Sequence, residues 1–259
     1  MKLVIKVFIM HAAIKISTNG GTRCTSFFME LWQCVYFSIA TCISLVCRKL
    51  IRIPDELFRK VLHFVLLFSY IPFVFAFDTW WASVLFTIGL EGMFYISLAL
   101  FERLPAFSSF LNERKKGELK RSGLLAFAML AVCVSVCWGL LNDRYLVLSC
   151  MYAWGVGDAF AALVGKAFGK HKIHMKYVDG RKSVEGSVAM LLTSAAAVLI
   201  VLLIRGGLSP VAYVLIPGVG AAAATVVELI TPDGMDTITC PIAAMMAILP
   251  MMALLGGFA

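Results

Sequence analysis

Charged residues are scarce in this sequence. They make up 15% of its 259 residues, whereas 61% are hydrophobic, and the mean hydropathy is +0.91. A soluble domain carries about 25% charged residues, so this composition excludes a soluble fold, and the same shortage of charge excludes an intrinsically disordered chain. The chain is also too long for a small disulfide scaffold, although it has eight cysteines. We therefore expect an integral membrane protein.

Long polar segments are also missing, and apolar runs take their place. A helix needs about 20 apolar residues to cross the hydrocarbon core of a bilayer. Eight runs approach that length: 27–47, 61–77, 80–101, 123–141, 145–165, 187–204, 211–230 and 237–255. The longest polar stretches, 102–121 and 169–186, are too short to form a soluble catalytic domain. The sequence thus predicts an all-α, polytopic bundle of about seven or eight transmembrane helices.

This organisation implies one domain. Residues 27–259 are predicted to form a single transmembrane catalytic domain, and residues 1–26 an N-terminal extension to which we assign no function. Four prolines fall inside predicted spans, at Pro72, Pro217, Pro241 and Pro250. Because proline lacks a backbone N–H and clashes with the preceding turn, we expect kinks or breaks at these points.

The net charge of +8 is concentrated in alternate connections between spans. Segments 48–60, 103–121 and 166–182 hold five, six and six basic residues, whereas the intervening turns contribute only Arg144 and Arg205. Cytoplasmic connections carry such an excess of lysine and arginine. The three basic segments are therefore predicted to face the cytoplasm.

Asp158 is the most informative residue inside a span. Inserting an ionisable side chain into the hydrocarbon core costs at least about 2.5 kcal/mol of free energy, so each such residue is a functional candidate. Asp158 stands in the segment GVGDAFAALVG, where small residues let neighbouring helices or a ligand approach closely. The alternative interpretation is a helix-packing face with a satisfied carboxylate.

Three further acids are predicted at the same membrane level. Glu185 begins the sixth span, Glu228 is near the end of the seventh, and Asp236 precedes the eighth. Beside them is a basic connection containing Lys166, Lys170, Lys172, Lys176, Arg181 and Lys182. Carboxylates that hold a divalent ion next to cations that neutralise phosphate oxygens are what phosphoryl or nucleotidyl transfer requires. An ordinary basic loop attracted to anionic lipid is the alternative.

Other polar residues carry weaker signals. Arg59 and His63 are one helical turn apart at the start of the second span, where a packing histidine and routine topology charges are the alternative. Glu91 lies in mid-span, where structural pairing and function are equally compatible with its position. His171 and His174 have no cysteine at metal-ligand spacing, which argues against a zinc site.

Four segments, in order, resemble the CTP-dependent polyprenol kinase family, which includes dolichol kinase, phytol kinase and a CTP-using diacylglycerol kinase. They are Arg59-Lys60-Val61-Leu62-His63, GVGDAFAALVGKAFGKHKI, GRKSVEGSVAM, and Glu228 followed by PDGMDTITCP. The resemblance runs from about residue 55 to the C-terminus. One departure is Thr237, where the family more often has asparagine after the aspartate.

The resemblance implies transfer of the γ-phosphate of CTP, with Mg²⁺ or another divalent cation, to the hydroxyl of a membrane isoprenoid alcohol or diacylglycerol. The implied metal ligands are Asp158, Glu228 and Asp236, and Glu185 joins them in the catalytic set by holding the motif loop or assisting. The implied nucleotide-binding residues are Arg59, His63, Lys166, Lys170, Lys172, Arg181, Lys182, Ser183 and Gly186. The expected partners are a membrane lipid alcohol and a nucleoside triphosphate, with no nucleic acid, at a site on the cytoplasmic side.

Two other functions fit the same residues. A phosphatidate cytidylyltransferase, which is related in the logic of its site, also joins CTP to a membrane lipid, but it releases pyrophosphate. A transporter would instead line a path with Glu91 and Asp158. The enzymes are favoured because the polar residues gather at one membrane face.

Overall fold

The computed structural model describes Tyr36 and residues 54–101, 118–174, 180, 182–232 and 234–258. Seven α-helices occupy most of these residues. They are α1 (Asp55–Ala76), α2 (Trp80–Phe101), α3 (Glu118–Cys133), α4 (Arg144–Phe168), α5 (Val184–Arg205), α6 (Pro210–Ile230) and α7 (Asp236–Leu254). A π-helical segment, Val134–Leu140, continues α3.

The observed helices coincide with all but the first of the predicted spans. Helices α1 and α4–α7, together with α3 and its π-helical continuation, are long and apolar enough to cross a membrane. The predicted polytopic helix bundle is therefore confirmed. The first span, 27–47, and the extension 1–26 lie outside the described residues apart from Tyr36, whose hydroxyl donates to the carbonyl oxygen of Val65 at 3.2 Å.

The outer surface of the bundle suits a lipid environment. Large apolar side chains point outward from several helices, with Leu192 64%, Val214 71% and Met246 69% exposed. The interior holds a continuous cluster of buried apolar residues that includes Leu67, Met151 and others from α1 and α3–α7. A helix that is apolar on all sides is typical of a membrane span.

Side-chain caps and prolines set the limits and continuity of the helices. Asp143, Ser183 and Ser209 cap the N-termini of α4, α5 and α6 by accepting backbone N–H groups. Contrary to the expectation of breaks, α1, α6 and α7 run unbroken through their internal prolines. Packing against neighbouring helices compensates for the backbone hydrogen bond that each proline removes.

Helix α4 is central to the bundle, and glycines let its neighbours approach. It packs most extensively against α5 and also contacts α1 and α7. A Cβ atom at Gly155 would collide with the side chain of Leu67 on α1, and one at Gly157 would collide with Ser194 and Met190 on α5. The predicted role of small residues around Asp158, close approach of neighbouring helices, is thus realised on two faces of α4.

The connectivity brings particular helix ends together. Helices α1, α5 and α7 begin, and α4 and α6 end, at the same end of the bundle, which we name the acidic end. Asp143, Arg205 and Gly257 lie together at the opposite end. The acidic end collects the residues that the sequence marks as functional.

Candidate active site

Carboxylates from three helices lie close together at the acidic end. Asp158 comes from α4, Glu228 from the last turn of α6, and Asp236 is the first residue of α7. Asp236 is within electrostatic interaction range of both Asp158 and Glu228, and Glu228 interacts with Asp158. The three acids that the resemblance assigns to metal binding are therefore neighbours in space.

Lys60 pairs with the first of these acids. Its Nζ lies 2.7 Å from Oδ2 of Asp158, and Lys60 is only 5% exposed. The sequence alone predicts a routine topology charge at Lys60 and favours Arg59 and His63 as functional residues. The missed signal is helical phase, because Lys60, His63 and Leu67 share the face of α1 that packs on α4.

Lys182 pairs with the second acid. Its Nζ is 3.0 Å from Oε1 of Glu228 and also donates to the backbone oxygens of Glu228 and Thr231, the latter at 3.2 Å. These carbonyls end α6, so the ammonium group complements the negative end of the helix dipole. Hydroxyl groups of Thr231 and Thr239, 2.9 Å apart, then connect this end of α6 to α7.

The third acid, Asp236, has no ion pair among the described residues. It accepts a hydrogen bond from the backbone of Thr237 and interacts electrostatically with Lys60. Three carboxylates thus share two ammonium groups in this cluster, which we name the acid–lysine cluster: Lys60, Asp158, Lys182, Glu228 and Asp236. With all five groups ionised, the cluster carries one net negative charge and is suited to receive a cation.

His63 and Arg59 border the cluster from α1. The Nε2 atom of His63 lies 2.9 Å from the backbone oxygen of Gly155, and its ring meets Trp154 edge-on with centroids 5.1 Å apart. Because a carbonyl oxygen only accepts, Nε2 carries the hydrogen. Arg59 forms an ion pair with Glu56 at 2.7 Å, one turn back along α1. His63 is therefore fixed against α4, while Arg59 lies at the rim.

The motif loop connects α4 to α5 and is held to the start of α5 by backbone hydrogen bonds. His171 and Lys182 form backbone hydrogen bonds with Val184 and Ile173, and Lys172 pairs with Ser183 in an antiparallel bridge. The buried Ser183 caps α5 by accepting the N–H of Gly186 at 3.2 Å.

Gly186 is required where α5 begins. A Cβ there would lie 2.9 Å from the backbone oxygen of Ala161, so only glycine lets α5 start this close to α4. Ser183 and Gly186 therefore hold the loop in place.

Glu185 lies apart from the acid–lysine cluster. Its carboxylate accepts the backbone N–H of His171 and contacts Nδ1 of that ring at 2.7 Å. The side chain of His171 is 79% exposed, so this contact lies at the surface. Among the roles considered for Glu185, this geometry favours holding the motif loop.

The remaining basic residues divide by exposure. Lys166, Lys170 and Lys172 are exposed on the surface beside the cluster, at the end of α4 and in the loop that follows. Arg181 and Lys176 lie outside the described residues. Exposed lysines near an acidic cluster are accessible to the phosphates of a nucleotide.

The donor set fits a magnesium ion that arrives with a nucleotide. No three His, Cys, Asp or Glu side chains of the described ranges lie close enough together to form a ready metal cage. Magnesium is usually held by one or two carboxylates together with waters and substrate phosphates, so such a cage is not required. Asp236, which has no ion pair with any residue that the structure describes, and the nearby Asp158 supply that number of carboxylates.

The chain is similar in sequence to a known enzyme. The chain is 26% identical over 234 residues to a phytol kinase from Synechocystis sp., and the alignment covers 83% of this chain and 89% of that protein. No protein-family model and no solved structure matches the chain. The similarity therefore extends over most of both chains.

Proposed function

We propose that this protein is a membrane kinase that transfers the γ-phosphate of CTP to the hydroxyl of a membrane lipid alcohol. The acid–lysine cluster is the observation that carries the proposal, because it holds a surplus carboxylate at the end of apolar helices. The exposed Lys166, Lys170 and Lys172 lie at the same end of the bundle. A lipid alcohol reaches this position from the bilayer and a nucleotide from the aqueous phase. The similarity to a phytol kinase along most of the chain supports the same class of reaction.

Asp158 and Asp236 are the residues that would hold Mg²⁺ with its nucleotide, and Glu228 would add negative charge beside them. The ion would neutralise charge on the phosphate oxygens as the γ-phosphoryl group is transferred. Lys60 holds Asp158 in position through their 2.7 Å contact, and Lys182 holds Glu228 at 3.0 Å. Positioning of this kind matters because phosphoryl transfer depends more on geometry and charge than on a strong base.

The reaction balances with these groups. The alcohol oxygen forms a bond to the γ-phosphorus while the bond from that phosphorus to the bridging β–γ oxygen breaks, and CDP leaves. The hydroxyl proton passes to a carboxylate of the acid–lysine cluster. Lys166, Lys170 and Lys172 bind the triphosphate on the exposed side, which we assign to the cytoplasm from the charge distribution of the connections.

The test is phosphorylation of a lipid panel. Purified protein in detergent receives γ-labelled CTP, magnesium and, separately, phytol, a polyprenol or diacylglycerol. We expect label in an organic-soluble product with at least one isoprenoid alcohol, and its loss in Lys60→Met and Asp236→Asn. Absence of labelled lipid across the whole panel, from a folded preparation, contradicts the proposal.

A further inference from the structure

Four buried polar side-chain atoms lack a hydrogen-bond partner in the part of the chain that the structure describes. They are Tyr70 Oη, Ser83 Oγ, Trp154 Nε1 and Thr225 Oγ1. Leaving a buried donor or acceptor unpaired costs about 1–3 kcal/mol, so each requires a reason. Two of the four, Trp154 and Thr225, belong to the helices that carry Asp158 and Glu228.

Their positions follow from helix geometry. Trp154 precedes Asp158 by four residues on α4, and Thr225 precedes Glu228 by three residues on α6, so each shares a face with an acid. At about 1.5 Å of rise per residue, they lie about 6 Å and 4.5 Å farther from the acidic end. Trp154 and Thr225 therefore lie on the hydrocarbon side of the carboxylates. Both are more than nine-tenths buried, with 3% and 7% exposure.

Thr225 departs from three other threonines that lie within a helix or at its end. A threonine inside a helix commonly donates to the carbonyl one turn earlier, and Thr87, Thr193 and Thr231 do so at 2.6–2.8 Å. Thr225 forms no such bond. Its hydroxyl is thus available both to donate and to accept.

Trp154 offers the complementary group. Its ring packs against His63, whose Nε2 hydrogen is used by the backbone oxygen of Gly155. The indole N–H of Trp154 is a donor only and normally finds a partner when it is buried. Trp154 therefore presents an unused donor beside a histidine that interacts electrostatically with Asp158 and Lys60.

We propose that Trp154 Nε1 and Thr225 Oγ1 bind the hydroxyl of the lipid alcohol, an inference that rests on the proposed kinase function. An alcohol oxygen accepts from Trp154 while its hydrogen is directed to Thr225 or to a carboxylate. The apolar chain of the substrate then extends toward the middle of the bilayer, and the oxygen faces the acids. A hydrocarbon without the hydroxyl leaves both groups unpaired and is rejected.

The decisive variants are Thr225→Val and Thr225→Ser. Valine keeps the shape of the side chain but removes the hydroxyl. We therefore expect the KM for phytol to rise about three- to tenfold, which corresponds to the free energy of one hydrogen bond. The KM for CTP should stay unchanged. Serine retains the hydroxyl and should restore the KM. Trp154→Phe should raise the same KM.

Ser83→Ala is the matched control. Ser83 Oγ is also buried and unpartnered, but it lies near the start of α2, away from the acids. We expect this variant to leave both KM values unchanged. If Thr225→Val behaves like Ser83→Ala, the hydroxyl-binding role is overturned while the kinase function stands.

A binding measurement separates the two proposals. Phytol, compared with its hydrocarbon analogue, should raise the melting temperature of the wild type in detergent, and Thr225→Val should lose that difference. This result supports the binding role even if no lipid is phosphorylated, an outcome that would remove the kinase proposal alone. Equal stabilisation of wild type and Thr225→Val by phytol contradicts the binding role.

Discussion

Both ends of the bundle contain largely buried charged side chains, but the ion pairs and hydrogen bonds that these side chains form differ between the ends. At the end opposite the acidic end, Arg205 Nε lies 2.5 Å from Asp143 Oδ2 and its other nitrogens donate to the carbonyls of Gly206 and Gly257. Asp143 also accepts the N–H groups of Tyr145 and Leu146 as the cap of α4. One acid pairs with one base, and the remaining donors and acceptors of both side chains form hydrogen bonds with backbone groups.

The acid–lysine cluster has no such balance. Its lysines are shared among three carboxylates, and Asp236 has no ion pair in the described ranges. On the helices that carry Asp158 and Glu228, Trp154 and Thr225 have side-chain atoms with no hydrogen-bond partner among the described residues. A closed network is suited to holding helices together, whereas an unbalanced one is suited to receiving a ligand. Variants at the two ends should therefore separate stability from activity.

The largest effect is expected at Asp158. Asp158→Asn keeps the size of the side chain but removes a charge from the acid–lysine cluster, and we expect activity to fall about 1000-fold, the scale of losing a key electrostatic contact in a reaction centre. Expression and membrane insertion should remain normal. The measurement is turnover with labelled CTP and phytol.

Asp143→Asn is the control at the opposite end. It removes a carboxylate from the Arg205 pair, where the Asp143 side chain is 8% exposed compared with 19% for Asp158. It should lower the melting temperature while leaving turnover per folded molecule near the wild-type value. Ordinary turnover by Asp158→Asn, or a matching loss in folded Asp143→Asn, would remove the distinction between the two ends.

Arg205 provides the second test. Arg205→Met removes the ion pair and the donors to two carbonyl oxygens, so we expect a loss of about 2–3 kcal/mol in the free energy of unfolding, the value of hydrogen bonds to a charged group. Thermal unfolding in detergent measures it. If Arg205→Met were as stable as the wild type but inactive, the catalytic role would instead belong to the end of the bundle that contains Arg205.

Close packing around α4 provides the third test. Gly157→Ala places a Cβ against Ser194 and Met190, and overpacking of this kind costs about 1–3 kcal/mol. Gly218→Ala in α6 meets nothing within 4 Å and is the matched control. The melting temperature should fall in the first and stay the same or rise in the second. Equal melting temperatures for the two variants would mean that α4 and α5 are less closely packed at Gly157 than the structure shows.

The smallest effect is expected at Glu185. If Glu185 holds the motif loop through His171, then Glu185→Gln should raise the KM for CTP a few-fold, about the value of one exposed hydrogen-bonded pair, and leave the KM for phytol unchanged. His171→Ala should act in the same way, and the double variant should add little, because interacting residues are not additive. A loss of turnover as large as that of Asp158→Asn would show instead that Glu185 acts directly in catalysis.

Most of the fold is predictable from hydropathy. Segments of apolar residues must form helices in a bilayer, so the limits of α2 and α6 follow from the sequence to within a residue. Of the kinks or breaks predicted at the prolines, breaks do not occur, because packing against neighbouring helices, which the sequence does not show, keeps each helix continuous. The rings of Pro217 and Pro241 are buried inside helices that remain continuous.

The site is predictable only in part. Costly acids at one membrane level predict the proximity of Asp158, Glu228 and Asp236. They also place Glu185 with these three, but its carboxylate lies apart from them beside His171. Partner choice depends on tertiary structure: the rotation of α1 places Lys60 rather than Arg59 against Asp158, and Lys182 reaches the end of α6. Unused atoms such as Thr225 Oγ1 are invisible in a sequence, because only packing shows which hydrogen bonds remain unformed.

The most direct measurement follows two labels from one nucleotide. The wild-type protein in detergent receives phytol, magnesium and CTP labelled separately at the α- and γ-phosphates. Transfer by the acid–lysine cluster predicts γ-label in the lipid product and α-label retained in CDP in the aqueous phase. Appearance of the α-label in lipid, with release of pyrophosphate, would contradict the kinase and identify a cytidylyltransferase instead.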